Sequence, residues 1–175
     1  MRFVRDAVVD EIVRKDERLQ DHIHARIVIL WLPGMSSVIA VQCLLMVAGI
    51  GIALALLWFW PLTAEHFKYY VGGIVLGSIP MAALYNLLIR GFASARTNMF
   101  RLSVAYASIA AVQMIVFLVT THKVSLCSAA ISFAAGLAAV QQIAGPSYAL
   151  LAAIYRAQRV QLLASKSDGQ QAHSR

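Results

Sequence analysis

Four long segments without charge constrain this chain more than any other feature. Asp, Glu, Lys and Arg are absent from four stretches of 21 or more residues each. A helix needs about 20 mostly apolar residues to cross roughly 30 Å of hydrocarbon, so each stretch is long enough for one crossing. The pattern predicts four transmembrane helices, at about Met35–Phe59, Tyr70–Ile89, Leu102–Thr121 and Leu126–Ile154.

The composition supports a bilayer environment. Apolar residues make up 60% of the 175 residues and charged residues 13%, whereas a soluble domain has about 45–50% and about 25%. The predicted fold is an all-α integral membrane protein of two transmembrane hairpins preceded by an N-terminal amphipathic helix. The predicted segments are a cytoplasmic or interfacial helix (1–33), a four-helix transmembrane domain (34–159) and a disordered cytoplasmic tail (160–175).

The N-terminal segment has the spacing of a helix with one wet face. Its apolar residues recur at intervals close to four, separated by acidic and basic residues. Opposite charges four residues apart, such as Glu11 and Lys15, favour a helix slightly. Pro33 and Gly34 interrupt this pattern before the first span. The apolar face is predicted to contain Val4, Val8, Ile12, Leu19, Ile23 and Ile27.

The distribution of basic residues predicts the orientation. Of the 15 Lys and Arg residues, six precede the first span, three lie in the connection 90–101 and four follow Ile154. The other two, Lys68 and Lys123, lie in the remaining connections. Because cytoplasmic loops of membrane proteins are enriched in Lys and Arg, both termini are predicted to be cytoplasmic. We expect a multi-pass protein of a bacterial inner membrane.

Small residues recur at four-residue spacing in the predicted spans. Such residues let helix backbones approach closely where no hydrophobic effect drives association, either within one chain or between chains. The pattern therefore predicts helix-packing positions at Gly73, Gly77, Gly49, Gly51 and Gly136.

The predicted spans contain no charged residue but include several amide side chains, beside Ser and Thr. The amide residues are Gln42, Asn86, Gln113, Gln141 and Gln142. Side chains of this kind form interhelical hydrogen bonds, although glutamines also suit a polar path for a solute. Counted from the inner boundaries of the third and fourth spans, Gln113 lies at nearly the same depth as Gln141 and Gln142. The sequence then predicts an amide bridge between the third and fourth spans.

Residues for catalysis or for metal binding form no recognisable pattern. We find no nucleophile elbow, no phosphate-binding glycine loop and no paired carboxylates, so we expect a protein without enzymatic activity or cofactor. His22 and His24 are two residues apart and would point in different directions on a helix, which argues against a metal site. Basic stripes with interleaved aromatic residues are also missing, so nucleic acid is not an expected partner.

These features leave three functional classes open, the third being a membrane sensor that signals through the N-terminal helix. The first is a structural, assembly or regulatory subunit of a larger membrane complex, for example in secretion or export, whose partners are the lipid bilayer and other membrane proteins or further copies of the chain. The alternative is a small oligomeric channel or transporter for a neutral or amphipathic solute. The absence of a carboxylate inside the predicted spans argues against proton or cation coupling.

Overall fold

A computed structural model shows an all-helical protein. It describes residues 6–16, 34–56, 63–120 and 123–173. Within these ranges it describes the backbone but not the side-chain surroundings of positions 6, 64, 65, 73, 76, 77, 124 and 166–173. No strand occurs in the described ranges. The helices are α1 (Asp6–Lys15), α2 (Met35–Leu56), α3 (Ala64–Ile89), α4 (Ser94–Val119), α5 (Lys123–Ala144) and α6 (Pro146–His173).

Three helices in the described part of the chain are long and apolar enough to cross a membrane. They are Met35–Leu56, Ser94–Val119 and Ser125–Ala144, in α2, α4 and α5 respectively. The predicted second span falls within α3, where Ser78–Ile89 forms a shorter apolar segment. Membrane embedding therefore follows from composition and helix length, as expected.

The fourth predicted span does not exist as one helix. Instead of continuing through Leu126–Ile154, α5 ends at Ala144 and α6 begins at Pro146 after a bend at Gly145. Proline has no backbone N–H to donate to the carbonyl four residues earlier, and its ring favours the first turn of a new helix. By contrast, Pro80 lies inside the uninterrupted α3. The two sites differ in the preceding residue, because Gly145 has more backbone freedom than the Ile79 that precedes Pro80.

The two ends of the chain also differ from prediction. Helix α1 covers only part of the predicted N-terminal helix, and its buried residues are Val9 and Val13, while Val8 and Ile12 are exposed. The predicted face is therefore rotated by about one residue, because α1 packs against α6. The other members of that predicted face lie outside the described residues.

The C-terminal tail is helical where disorder was predicted. Helix α6 extends through most of segment 160–175, as far as His173. The segment after Tyr155 is rich in Ala, Gln, Leu, Arg and Lys, which have high helix propensities. Polarity and the loss of hydrophobic periodicity suggested disorder, but continuation from the buried first turns of α6 favours a helix.

Helix α5 forms the centre of the bundle. It packs along its length between α2 and α4, both antiparallel to it, whereas α3 lies at the side and touches α2, α4 and α6 less extensively. The main core lies at the end where α6 begins and includes Val41, Leu45, Ile143, Tyr148 and Leu151. A smaller cluster of Ala55, Phe117 and Ala129 lies at the opposite end.

Candidate functional site

The peripheral helix α3 is defined by a cap at each end. The Thr63 hydroxyl accepts a hydrogen bond from the His66 backbone N–H at 3.3 Å, which satisfies one free donor of the first turn. At the other end Gly91 has a φ of 70°, a left-handed conformation favoured by glycine. The N–H groups of Gly91 and Phe92 donate to the carbonyls of Leu88 and Leu87. This cap makes the connection to α4 much shorter than the predicted loop of 90–101.

The outward face of α3 is uncovered. We define the outward seam as Gly72, Val75, Ile79 and Ala83, which are spaced by three, four and four residues and so lie on one side of the helix. Val75 is 53% exposed and Ile79 is 55% exposed. A Cβ atom built on Gly72 meets no neighbouring atom within 4 Å. Asn86 continues this side of α3 and is exposed, with its amide donating to the Ala82 carbonyl at 2.9 Å.

The inward face of α3 borders a cavity of about 480 Å³ between α2, α3 and α4. His66, Tyr69 and Tyr70 lie toward its end near the start of α3, and Ile74 and Met81 lie deeper. Helix α2 contributes mainly aliphatic residues between Leu45 and Leu56. The cavity is therefore apolar along most of its length and polar at one end.

Small residues between α5 and its neighbours are enclosed, unlike those on the outward seam. A Cβ on Gly51 would overlap the Ser132 hydroxyl, and a Cβ on Gly136 would lie 3.0 Å from both Cα and Cβ of Ala107. Gly49, also expected at a packing position, would place a Cβ 3.3 Å from the Tyr106 ring. The surroundings of Gly73 and Gly77 lie outside the description.

The intramembrane polar residues are not paired as expected. The Gln113 amide donates to the Ile52 carbonyl of α2 at 3.3 Å, and its own carbonyl oxygen is buried without a hydrogen-bond partner. Gln141 and Gln142 are exposed. The predicted amide bridge is therefore wrong. The predicted depth rested on a fourth span that continues to Ile154, whereas α5 ends at Ala144. Gln141 then lies only three residues, about 5 Å, from the end of α5 rather than at the depth of Gln113.

Serines of α5 contribute hydrogen bonds that the sequence reasoning did not single out. The Ser128 hydroxyl donates to the Gly51 carbonyl at 2.8 Å, and the buried Ser132 hydroxyl donates to the Ser128 carbonyl at 2.9 Å. Both serines adjoin Gly51, so the closest approach between α2 and α5 is also a hydrogen-bonded one. Gln42 is half-buried on α2, farther toward its beginning.

Arg96 is the most unexpected polar residue. Its side chain is fully buried, and its guanidinium donates to the carbonyls of Ile143 at 3.0 and 3.1 Å and of Ala144 at 3.4 Å. A cation at this position satisfies the last carbonyls of α5 and the negative end of its dipole. The sequence reasoning counted Arg96 as a loop residue. The helical spacing of Arg96, Met99 and Ser103 on one buried face was the signal available for finding it.

Residues of α6 contact α1 and the connection between α3 and α4. The Arg156 guanidinium pairs with the Asp10 carboxylate of α1 at 2.8 Å, and the Arg159 guanidinium lies 3.7 Å from the centroid of the Phe92 ring. Desolvation raises the pKa of the buried Tyr148 hydroxyl, against a smaller opposing effect of Arg96. Burial likewise raises the pKa of Tyr155, so both hydroxyls stay protonated at neutral pH.

A metal site is the first kind of chemical site to consider in the described ranges. In those ranges no group of three His, Cys, Asp or Glu side chains is close enough to hold a metal ion. His22 and His24 lie outside them. Compared with protein-family models, curated proteins and solved structures, the chain matches none. The geometry of α3 is therefore the main guide to function.

Proposed function

We propose that this chain is a non-catalytic, multi-pass subunit of a larger complex in a bacterial inner membrane, and that it binds a transmembrane helix of another protein on the outward seam of α3. The observation that supports this most directly is the contrast in small residues. Gly51 and Gly136 are enclosed by neighbouring helices, whereas Gly72 has open space around it. Gly72 lies about one helical turn before the exposed Val75 on the same side of α3, and a glycine with open space around it permits close approach of a further helix.

The proposal includes α3 as a fourth membrane span. It has 26 residues, equivalent to about 39 Å of helix, and no Asp, Glu, Lys or Arg lies between Lys68 and Arg90. With α3 included, the spans alternate in direction, and the basic residues before α2, between α3 and α4, and after α5 all lie on one side. The positive-inside tendency makes that side cytoplasmic.

The seam also offers a polar contact. Asn86 is an exposed amide on the outward side of α3, four residues before Arg90. Amide side chains stabilise association between membrane helices by roughly 0.6–2 kcal/mol when they find a partner. A partner helix with small residues along one face and a polar residue near its cytoplasmic end would fit this surface.

Affinity purification from native membranes in mild detergent tests the proposal. Wild-type protein should recover a stoichiometric membrane partner, and Ile79→Trp should reduce that recovery at least fivefold. The matched control is Ile115→Trp on α4, since Ile115 is 62% exposed and lies off the seam. Equal recovery with the two variants would refute binding through α3. Recovery of only further copies of the chain would instead make the complex a homo-oligomer.

A second candidate is suggested by the apolar cavity beside α3, namely a small oligomeric channel or transporter for a neutral or amphipathic solute. Flux measurements in liposomes separate the two proposals. A subunit of a larger complex should give no flux alone, whereas a channel or transporter should give flux that depends on protein concentration and is lost when the cavity is filled.

Cysteine accessibility tests the proposed orientation. In a background lacking Cys43 and Cys127, Thr63→Cys and Lys123→Cys should react with an impermeant maleimide in intact cells. Ser94→Cys should react only after the membrane is opened. The wild-type side chains at these three positions are exposed, and Lys123 is used because the nearby Ser125 is buried. Labelling of Ser94→Cys in intact cells would reverse the topology.

A further inference from the structure

We propose that the cavity between α2, α3 and α4 binds one acyl chain of a membrane phospholipid, with the headgroup near the start of α3. This site is separate from the outward seam, because the cavity residues Tyr70, Ile74 and Met81 lie on the opposite side of α3 from Gly72 and Ile79. Substitutions in the cavity and on the seam therefore test lipid binding and partner binding separately.

The lining matches hydrocarbon over most of its length. Leu45, Ile52 and Ala53 of α2 face Ile74 and Met81 of α3. Ser78 also lines the cavity, but its hydroxyl donates to the Val75 carbonyl at 2.7 Å in its own helix. That internal hydrogen bond satisfies the Ser78 hydroxyl donor, so an acyl chain beside it would not leave this donor without a partner.

The length of the cavity corresponds to one leaflet. Along α2 the lining runs from Leu45 to Leu56, 11 residues or about 16 Å, and half of the hydrocarbon core is about 15 Å thick. Beyond Leu45, toward the start of α2, the space is closed by core residues such as Val41 and Leu88. A spanning helix of a partner would need a groove across the whole bilayer, whereas an acyl chain needs only this half.

The polar end of the cavity suits a headgroup. Tyr69 and Tyr70 lie at the level where aromatic residues favour the membrane interface. The Lys68 ammonium group lies 5.2 Å from the centroid of the Tyr69 ring, which places a positive charge beside the mouth. A phosphodiester at this level would lie close to the positive charge of Lys68, and the acyl chain of the same lipid would extend toward Met81. In the proposed orientation this is the outer leaflet.

Native mass spectrometry of the purified protein, reconstituted with phosphatidylglycerol and then re-extracted in mild detergent, tests the site. Wild-type protein should retain about one phospholipid per chain. Filling the cavity with Ala53→Trp or Ser78→Trp should lower the retained fraction at least fivefold. The matched controls are Leu54→Trp and Ile79→Trp, each one residue away on the same helix but off the lining, and both should retain lipid as wild type does.

Thermal unfolding in detergent identifies variants that fail to fold. Two independent filling variants are included so that lipid retention can be measured on at least one folded variant. Loss of lipid in a folded filling variant but in neither control supports the site. Wild-type protein without retained lipid, or equal retention in filling and control variants, overturns the proposal. A photoreactive amino acid is placed at Ile74 and activated in native membranes. Cross-linking to a partner protein and not to phospholipid also overturns the proposal.

Discussion

Helices α5 and α3 have similar lengths and both carry small residues, but they use them in opposite ways. On α5, Gly136 lies against Ala107 and the serines lie against Gly51, so the small positions are filled by α4 and α2. On α3, Gly72 meets no neighbour within 4 Å. Small-residue spacing therefore marks positions where another helix can come close to the backbone. The connections and directions of the helices decide which of these positions are occupied by a helix of the same chain.

The same contrast extends to polar groups. Around α5, side-chain hydrogen bonds cross between helices, as from Ser128 to Gly51 and from Arg96 to Ile143. On α3 the described side-chain bonds of Ser78 and Asn86 return to their own helix. Helix α5 is thus joined to its neighbours by directional contacts, while α3 has an uncovered outward face and a cavity beside its inward face.

The largest effect should come from enlarging Gly136 of α5, with the same change at Gly72 of α3 as its comparison. Gly136→Leu must displace the Ala107 backbone, so we expect a loss of at least about 3 kcal/mol in the free energy of unfolding. Gly72→Leu should change it by less than about 0.5 kcal/mol, because open space surrounds that position. Reversible unfolding in mixed detergent micelles measures both. Similar losses in the two variants would show that α3 is packed as tightly as α5.

The next effect concerns Arg96, which caps α5 at its bend. Arg96→Met should lower the free energy of unfolding by about 2–4 kcal/mol, since it leaves buried carbonyls of α5 without a donor. The exposed Arg101 on the same helix is the control, and Arg101→Met should have an effect below about 0.5 kcal/mol. Arg96→Lys should be intermediate, because lysine keeps the charge but loses the planar fork. Equal stability of Arg96→Met and wild type would contradict a capping role.

A smaller effect is expected at the hydrogen bond between α5 and α2. Ser128→Ala should lower the free energy of unfolding by about 1 kcal/mol, the usual magnitude for one lost intramolecular hydrogen bond. Ser165→Ala provides the control, because the Ser165 hydroxyl is exposed and bonds to the Leu162 carbonyl of its own helix. The same denaturation assay should find that control within error of wild type. A loss as large in the control would remove the distinction between interhelical and local bonds.

The smallest effect should occur at Gln113. Its amide makes one hydrogen bond of 3.3 Å, but its buried carbonyl oxygen lacks a partner. Gln113→Met removes a weak bond together with an unsatisfied acceptor, so the two contributions should nearly cancel and leave a change within about 0.5 kcal/mol. A loss above about 1.5 kcal/mol would mean that this amide stabilises the bundle more than its contacts indicate.

Much of the secondary structure could be predicted from the sequence. The charge-free segments predicted apolar helices, and α2, α4 and α5 are long and apolar enough to be membrane spans. The spacing of small residues indicated Gly51 and Gly136 as packing positions, and both have close neighbours. These features are local, because hydrophobic length and residue volume act wherever the segment is placed.

The errors arose where a contact or a bend changed the geometry. Pro80 and Pro146 look alike in sequence, but only Pro146, after Gly145, separates two helices. Because α5 ends before that bend, Gln141 and Gln142 lie near the end of their helix and not at the depth of Gln113, so the predicted amide bridge is absent. Val9 and Val13 replaced the predicted face of α1 because α1 packs against α6.

The sequence by itself determined that the chain is helical and apolar enough for a membrane, since periodicity and hydrophobic length depend only on the order of residues. Only the tertiary structure decided that Arg96 is buried, that Gln113 bonds to α2, and that a cavity lies beside α3. Each of these depends on the distance between atoms far apart in the chain. Such distances are set by the packing of whole helices, and residue spacing within one helix does not contain them.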